Sequence, residues 1–557
     1  MTQTPTEESV VGDFNNVRLS GKDLDVRLFK EGHRFMAELN FRNPTSTGVY
    51  PVVLTTGKHH QQWYWLGSPN SSEMMILPFV YLTAEKRWIP RHTVLVNARL
   101  CQEERPEIAV FQAENDKWKT ICIGCHTTHG QPQPKDERGL PSPVARVAEF
   151  GISCEACHGP GAAHVRANTE LGAKDSARRA GIVNPAKLGH ERSSEVCAQC
   201  HSVFYHRSEK SSQSWLQDGY SYRPGDDLFA DPLQLVLRGR REFRAKQPAH
   251  VPDLVEAGSF WSDGMCRATG REFSGTLESP CYQRGEMSCL SCHAMHQSAG
   301  DGRTRNEWAA GQLKPGMNGN RACSQCHDRF NDSGQLTRHT HHTADSTGSN
   351  CYNCHMPHTS YGLLKAVRSH EINSPSVAQS LQTGRPNACN QCHQDQTLAW
   401  TADHLATWYK QPKPKMKPDE EQVAASVLWA LRGDAGQRAI TAWSFGWPEA
   451  QKVSGASWQA PFLAALLDDP YPAVRFSAHR SLRRLEGFAD FEYDFIGTPA
   501  ALSAAPQRAR QVWEQTRGGA QRPFVRATLM DAKGQVLDAD FQRLLKLRDD
   551  RPVFIAE

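Results

Sequence analysis

Two cysteines separated by two residues, with a histidine directly after the second, recur seven times in the 557-residue chain. The sets are Cys122, Cys125, His126; Cys154, Cys157, His158; Cys197, Cys200, His201; Cys289, Cys292, His293; Cys323, Cys326, His327; Cys351, Cys354, His355; and Cys389, Cys392, His393. They use fourteen of the 17 cysteines, where a chain of this composition would supply roughly 0.02 such motifs by chance. The pattern is the one covalent c-type haem attachment takes, in which two thiols add to the porphyrin vinyl groups and the adjacent imidazole reaches the iron. Structural zinc also uses C-x-x-C pairs, but it needs four ligands and gives no reason for a histidine after every second cysteine. Thioredoxin-like pairs do not require that histidine either. Haem c at seven sites is the expectation, with the seven motif histidines as proximal ligands.

Sixth ligands must come from the remaining histidines. His129 and His296 stand three residues after a motif histidine, too near to swing to the far face of their own haem and better placed for a neighbouring one. His164 follows motif two through a Gly-Pro-Gly turn, His339, His341 and His342 crowd ahead of motif six, and His370 lies between motifs six and seven. The candidate distal set is His129, His164, His296, His342 and His370, each weighed against a merely solvated or hydrogen-bonded histidine. Three cysteines remain, Cys101, Cys266 and Cys281. Cys281, with Arg284 for an anion, is a weak catalytic candidate beside a haem, against the reading of a buried thiol. His250 is weaker, and Cys101 and Cys266 weaker still.

The elements that must hold these residues divide into three. Residues 1–115 read as a small β-rich subdomain: Leu24 to Phe29 alternates, Gly32 marks a turn, Phe35 to Leu39 returns, and Val49–Leu54, His60–Leu66 and Ile76–Leu82 are further strand-like runs. Residues 116–400 form the multihaem region, with short helices and long loops around porphyrin. First cysteines of successive motifs are 28 to 43 residues apart except for one step of 92, an insertion at about 202–288. That insertion includes a basic stretch at 237–246, read as a solvated helix face, and offers material for a channel or partner surface. Residues 401–557 turn helical, with Val474, Ala478, Leu482 and Leu485 on one face. The segment Asp468 to Arg475 resembles the start of a HEAT-type repeat, or else belongs to a plain helical cap. The fold class expected is mainly α with an irregular haem-wrapped core, a small N-terminal β subdomain and a HEAT-like C-terminal domain.

Composition narrows the partners. The 64 basic and 60 acidic residues leave a formal charge of +4, so nothing argues for nucleic acid. No apolar run is long enough to span a membrane. The 39% hydrophobic content becomes roughly 44% when Gly replaces Tyr in the count, just under the usual range, as expected where porphyrins supply part of the core.

The segments Cys354-His-Met-Pro, Arg368-Ser-His370-Glu-Ile-Asn-Ser-Pro375 and Asn387-Ala-Cys389-Asn-Gln-Cys392-His393 resemble the C-terminal haem core of the multihaem cytochrome c superfamily that holds pentahaem nitrite reductase, hydroxylamine oxidoreductase and octahaem tetrathionate reductase. The segments around Cys154 and Cys289 are similar to it too, so the resemblance spans roughly residues 120–400. It implies that His370, just ahead of the I-x-x-P segment, is a distal ligand. All seven motifs end in histidine, whereas pentahaem nitrite reductase has lysine at its active haem. Closer multihaem relatives carry a further motif and a signal peptide ahead of a segment similar to Glu7–Phe14. Haem attachment also takes place outside the cytoplasmic membrane, and no export signal opens this chain. The expectation is therefore a periplasmic or otherwise exported protein, octahaem in full, whose native N-terminus is missing here.

Two functions follow. One is electron transfer along largely bis-histidine haems between redox partner proteins, on the quinol oxidase side or other cytochromes. The alternative is an oxidoreductase of small nitrogen or sulfur oxyanions at one haem with an open sixth position. A docking scaffold with structural haems is a third, remoter reading.

Overall fold

The computed structural model describes residues 2–42, 44–68, 73–98, 108, 111–112, 117–169, 181–232, 234–236, 258–516 and 525–555. Cys101, His250 and the basic stretch at 237–246 lie outside the described residues.

The N-terminal region is an antiparallel sheet of nine strands. They are β1 (Thr2–Gln3), β2 (Val17–Ser20), β3 (Leu24–Glu31), β4 (Arg34–Arg42), β5 (Thr45–Gly57), β6 (Gln61–Gly67), β7 (Met74–Ile76), β8 (Phe79–Leu82) and β9 (Arg87–Pro90). The main order is β2-β3-β4-β5-β6-β8-β9, with β1 on β5 and β7 on β6. Alternation decides which face turns inward: Leu24, Val26 and Leu28 of β3 lie opposite Phe41, Leu39 and Ala37 of β4, and all six are buried. The β3–β4 connection is two residues long, with Gly32 at φ +59°, a conformation glycine takes without a Cβ penalty. A register shift between Val52 and Leu54 bends β5. The sheet curls into a near-closed barrel around Phe14, whose ring meets Phe35 of β4, Tyr64 of β6 and Trp88 of β9. Fully burying one such side chain is worth about 1.5–3 kcal/mol. The segment ahead of Phe14 is stitched to β6, with the Val11 and Gly12 amides donating to Gln62 Oε1 and Tyr64 Oη, each at 2.8 Å. The outer face of the sheet presents Leu54, Trp65 and Ile76 to Trp118, Ile123 and Trp215, and so seats motif one.

By internal contacts the chain forms two compact units. The first is Met1–Arg91, Glu104–Arg238 and Arg284–Pro315; the second is His92–Glu103, Gly239–Gln283 and Gly316–Glu557. The first holds the barrel and motifs one to four, the second motifs five to seven and the C-terminal helices. The expected 'mainly α' class is corrected to a mixed one, a β-barrel followed by a largely helical region, because β-branched and aromatic alternation in the first 90 residues sustains a full sheet. The run at 76–82, expected as one strand, breaks into β7 and β8.

In the second unit, the helix Pro472–Leu482 packs on Ala435–Phe445 through small residues. Ala439 and Ala478 are fully buried, and Ser481 Oγ donates to Ala442 O at 2.6 Å. This pair is helical as expected, and a HEAT-like array goes beyond what it shows. Arg438 and Asp469 form a wholly buried ion pair at 2.6 Å, completed by Arg438 Nη1 donating to Gly433 O at 2.7 Å. Among the described residues no helix is long and apolar enough to cross a membrane.

Candidate haem sites

Two thiols three residues apart emerge on one side only if the backbone between them makes a helical turn. Short helices occupy Ile123–His126, Cys154–His158, Cys289–Cys292, Cys351–His355 and Ala388–Cys392. Motif three closes the longer helix His190–His201, and motif five starts in Arg321–Ser324. Capping side chains begin several of these turns. Asn350 Oδ1 accepts from the Tyr352 amide at 3.2 Å, and Asn387 Oδ1 from the Cys389 amide at 3.0 Å. Within motif one, a Cβ at Gly124 would stand 2.6 Å from Tyr220 Oη, so any larger residue there would have to displace the Tyr220 ring.

Several of the motif sulfurs sit where burial disfavours charge. Burial pushes the Cys122 thiol up to about 12, Cys354 to about 11 and Cys392 to about 12, and raises Cys157 and Cys389 as well. A neutral thioether suits such places, whereas a zinc cage would need thiolates. Among the described residues no group of three His, Cys, Asp or Glu side chains could hold a metal ion.

Motifs also neighbour one another. A thiol hydrogen bond joins Cys197 to Cys289, raising the first and lowering the second. Another, from Cys323, brings Cys351 down to about 7. Cys157 stands close enough to Cys197, and Cys354 to Cys389 and Cys392, for their charges to interact. Motifs two, three and four thus run together in the first unit, and five, six and seven in the second. After motif seven, buried Gln394 ties the loop to the helices beyond: its Nε2 donates to Ser444 O at 2.7 Å, and its carbonyl accepts from Ser426 Oγ at 2.6 Å.

The imidazoles carry the geometry furthest. His158 Nδ1 lies 2.6 Å from Val183 O, His293 Nδ1 2.9 Å from Gly311 O and His355 Nδ1 2.9 Å from Asn373 O. Each contact to a carbonyl requires Nδ1 to carry the proton and leaves Nε2 as the donor for a metal. Three motif histidines then face a second imidazole. Ring centroids are 6.2 Å apart for His158 and His296, 6.1 Å for His355 and His339, and 5.9 Å for His393 and His342. Two metal–nitrogen bonds of about 2 Å, plus about 1.1 Å from each nitrogen to its ring centre, span roughly 6 Å. The residues present therefore fit iron held between paired imidazoles.

The other sequence candidates are placed less tellingly. His129 takes a left-handed φ of +49°, with burial and Arg223 lowering its proton affinity. His164 lies on the helix Ala162–Thr169, its Nδ1 3.5 Å from Asn168 Nδ2. His370 Nδ1 is 3.3 Å from Arg368 O, and its carbonyl accepts from Ser279 Oγ at 2.9 Å. Cys266 is a structural thiol, donating to Arg271 O at 3.5 Å and pushed up to about 12 by burial. Burial raises Cys281 too, with Cys326 close enough to contribute, while Arg284 is exposed. His339, one of three clustered histidines in the sequence, is the one that faces His355, a choice the spacing could not make. His358 follows its motif by the same three residues as His129 and His296, yet it is buried against Trp443, with centroids 4.2 Å apart, and Trp447.

Comparison with protein families agrees with this chemistry. Residues 92–159 match cytochrome c554 and c-prime, residues 282–332 match a doubled CXXCH motif, and residues 336–465 match cytochrome c552. The chain therefore carries multihaem c-type cytochrome domains, with covalent haem c attached through CXXCH motifs. No curated protein and no solved structure matches the chain.

Proposed function

We propose that the protein conducts electrons along a series of haems c attached at all seven motifs and held largely between two imidazoles. The observation that carries this reading is the set of three imidazole pairs spaced near 6 Å, each containing a motif histidine. When bound, each haem supplies a one-electron couple whose potential depends on axial ligands, burial and hydrogen bonds. The chain's own part is to supply the sulfurs, to hold Nδ1 protons on backbone carbonyls and to set the motifs side by side. His126, His158, His201, His293, His327, His355 and His393 are proximal in this reading. His296, His339 and His342 are distal, each serving a motif other than the one nearest before it or lying ahead of the motif served. His129, His164 and His370 remain candidates for the other irons. That haem c is attached outside the cytoplasmic membrane supports an exported protein with redox proteins as partners.

A second reading, reduction or oxidation of a small oxyanion, draws on motif five. His327 is exposed, and among the described residues no imidazole faces it at the spacing of the three pairs. Intact mass and a pyridine haemochrome assay should give seven haems. His296→Ala, His339→Ala and His342→Ala should each convert one low-spin haem to high spin, while His33→Ala, at an exposed histidine in the β3–β4 turn, should convert none. Unchanged spin states in all three variants would remove the bis-imidazole assignment. In the wild type, a cyanide- or nitrite-induced spectral change would support the second reading, and its absence would dismiss it.

A further inference from the structure

The described surface of the second unit carries a basic, aromatic face around His339. Arg329 lies over the Phe330 ring, 4.6 Å from its centroid, and Phe330 packs 4.7 Å from His339. Tyr409 Oη donates to His339 O at 2.5 Å, and its ring is 6.1 Å from the imidazole. Beside it, exposed His341 stacks on Trp408 with centroids 4.2 Å apart and planes at 11°. The helix Leu398–Tyr409 ends there, and the chain continues as Lys410-Gln-Pro-Lys413-Pro-Lys415-Met-Lys417. All four lysines are exposed. Asp403 pairs with Lys413 at 2.6 Å, and of the acidic run that follows, Asp419 and Glu420 are taken up by Arg432 and Arg543, which leaves the strap itself positive. Lys410 caps the helix at φ +59°, and the prolines beyond it keep the other three lysines on a pre-ordered backbone.

Solvated lysines by themselves would mean little. Here they border half-exposed His339, which faces His355 across one of the three pairs. Arginine and aromatic rings at the centre with charges at the rim is the composition of a protein interface. Opposite charge on a partner would steer encounter and fix orientation without requiring high affinity.

We propose that this face is the docking surface for an acidic redox protein, which exchanges electrons with the haem bound between His355 and His339. The inference rests on the electron-transfer reading and adds the place of entry or exit and the charge of the partner. One electron passes from the partner's reduced centre to a ferric haem of this chain, or the reverse; no bond or proton moves in the step.

The test uses the holoprotein and a reduced acidic [2Fe–2S] ferredoxin as the probe, with haem reduction followed by stopped flow at low and high salt. Dithionite, which needs no docking face, is the reference reductant. Lys410→Glu/Lys415→Glu should slow reduction by ferredoxin at low salt by at least about tenfold and flatten its salt dependence. Reduction by dithionite should not change. Lys22→Glu/Lys533→Glu, equal in charge change but on other exposed lysines, should stay within about twofold of wild type. Equal rates in wild type and Lys410→Glu/Lys415→Glu, an equal loss in the other double variant, or no reaction of the wild type with ferredoxin would overturn the inference. So would loss of binding to phosphatidylglycerol vesicles in Lys410→Glu/Lys415→Glu with ferredoxin rates unaltered, which would assign the face to a lipid surface. A holoprotein lacking haem, or not reduced by dithionite, would instead fail the electron-transfer reading itself.

Discussion

Gly348 sits in the short turn Thr347–Ser349, and the His342 ring lies directly over it. A Cβ at position 348 would stand 2.5 Å from His342 Cγ and 2.8 Å from Nε2. Carbon atoms in contact settle at about 3.5–4.0 Å, so Gly348→Ala requires the ring to retreat by roughly 1 Å or more. The ring has little freedom to do so by rotation, because His342 Nδ1 is 2.6 Å from Thr340 O. A retreat of that size is about half a metal–nitrogen bond. If His342 is the sixth ligand at the His393 site, as proposed, the expected result is its loss, seen as conversion of one haem from low to high spin by electron paramagnetic resonance. Overpacking should also lower stability by about 1–3 kcal/mol. Gly319→Ala, where a Cβ meets nothing within 4 Å, controls for the loss of glycine. A Gly348→Ala protein that keeps every haem low-spin, or a Gly319→Ala protein that shows the same change, would refute this role of His342.

Asp469→Ala should strand the fully buried Arg438 guanidinium and cost about 3–5 kcal/mol, measured by denaturant unfolding of the second unit's helical signal; a loss below 1 kcal/mol would contradict the burial. Burial, with Arg480 adding to it, brings Lys365 from its ordinary 10.5 down to about 8. Between those values the unfolded chain binds more protons than the folded one, so this residue makes stability rise with pH across the window of about 8 to 10.5. Lys365→Met should remove that part of the slope, and superimposable stability–pH curves for variant and wild type would count against it. Below about 8 the variant should be the more stable of the two, since it no longer buries an ammonium group.

The covalent chemistry was legible from local sequence because haem attachment depends on neighbours in the chain: two thiols on one helical turn and an imidazole beside them. Alternation likewise marked the hairpin of β3 and β4, since period-two burial is a local property. Which imidazole faces each motif histidine is a different matter. His129, His296 and His358 share one spacing from their motifs, yet His296 faces His158 while His358 is buried against Trp443 and Trp447. Three histidines crowd positions 339 to 342, and only the folded chain separates His339, facing His355, from His342, facing His393, and from His341, stacked on Trp408. The barrel's curl around Phe14 and the Gln394 tie to Ser444 and Ser426 were equally hidden. The sequence by itself determined which atoms can bond to porphyrin, because that bonding is set within five consecutive residues. Only the tertiary structure decided which imidazoles meet and which motifs lie side by side, because those distances depend on packing between segments far apart in the chain.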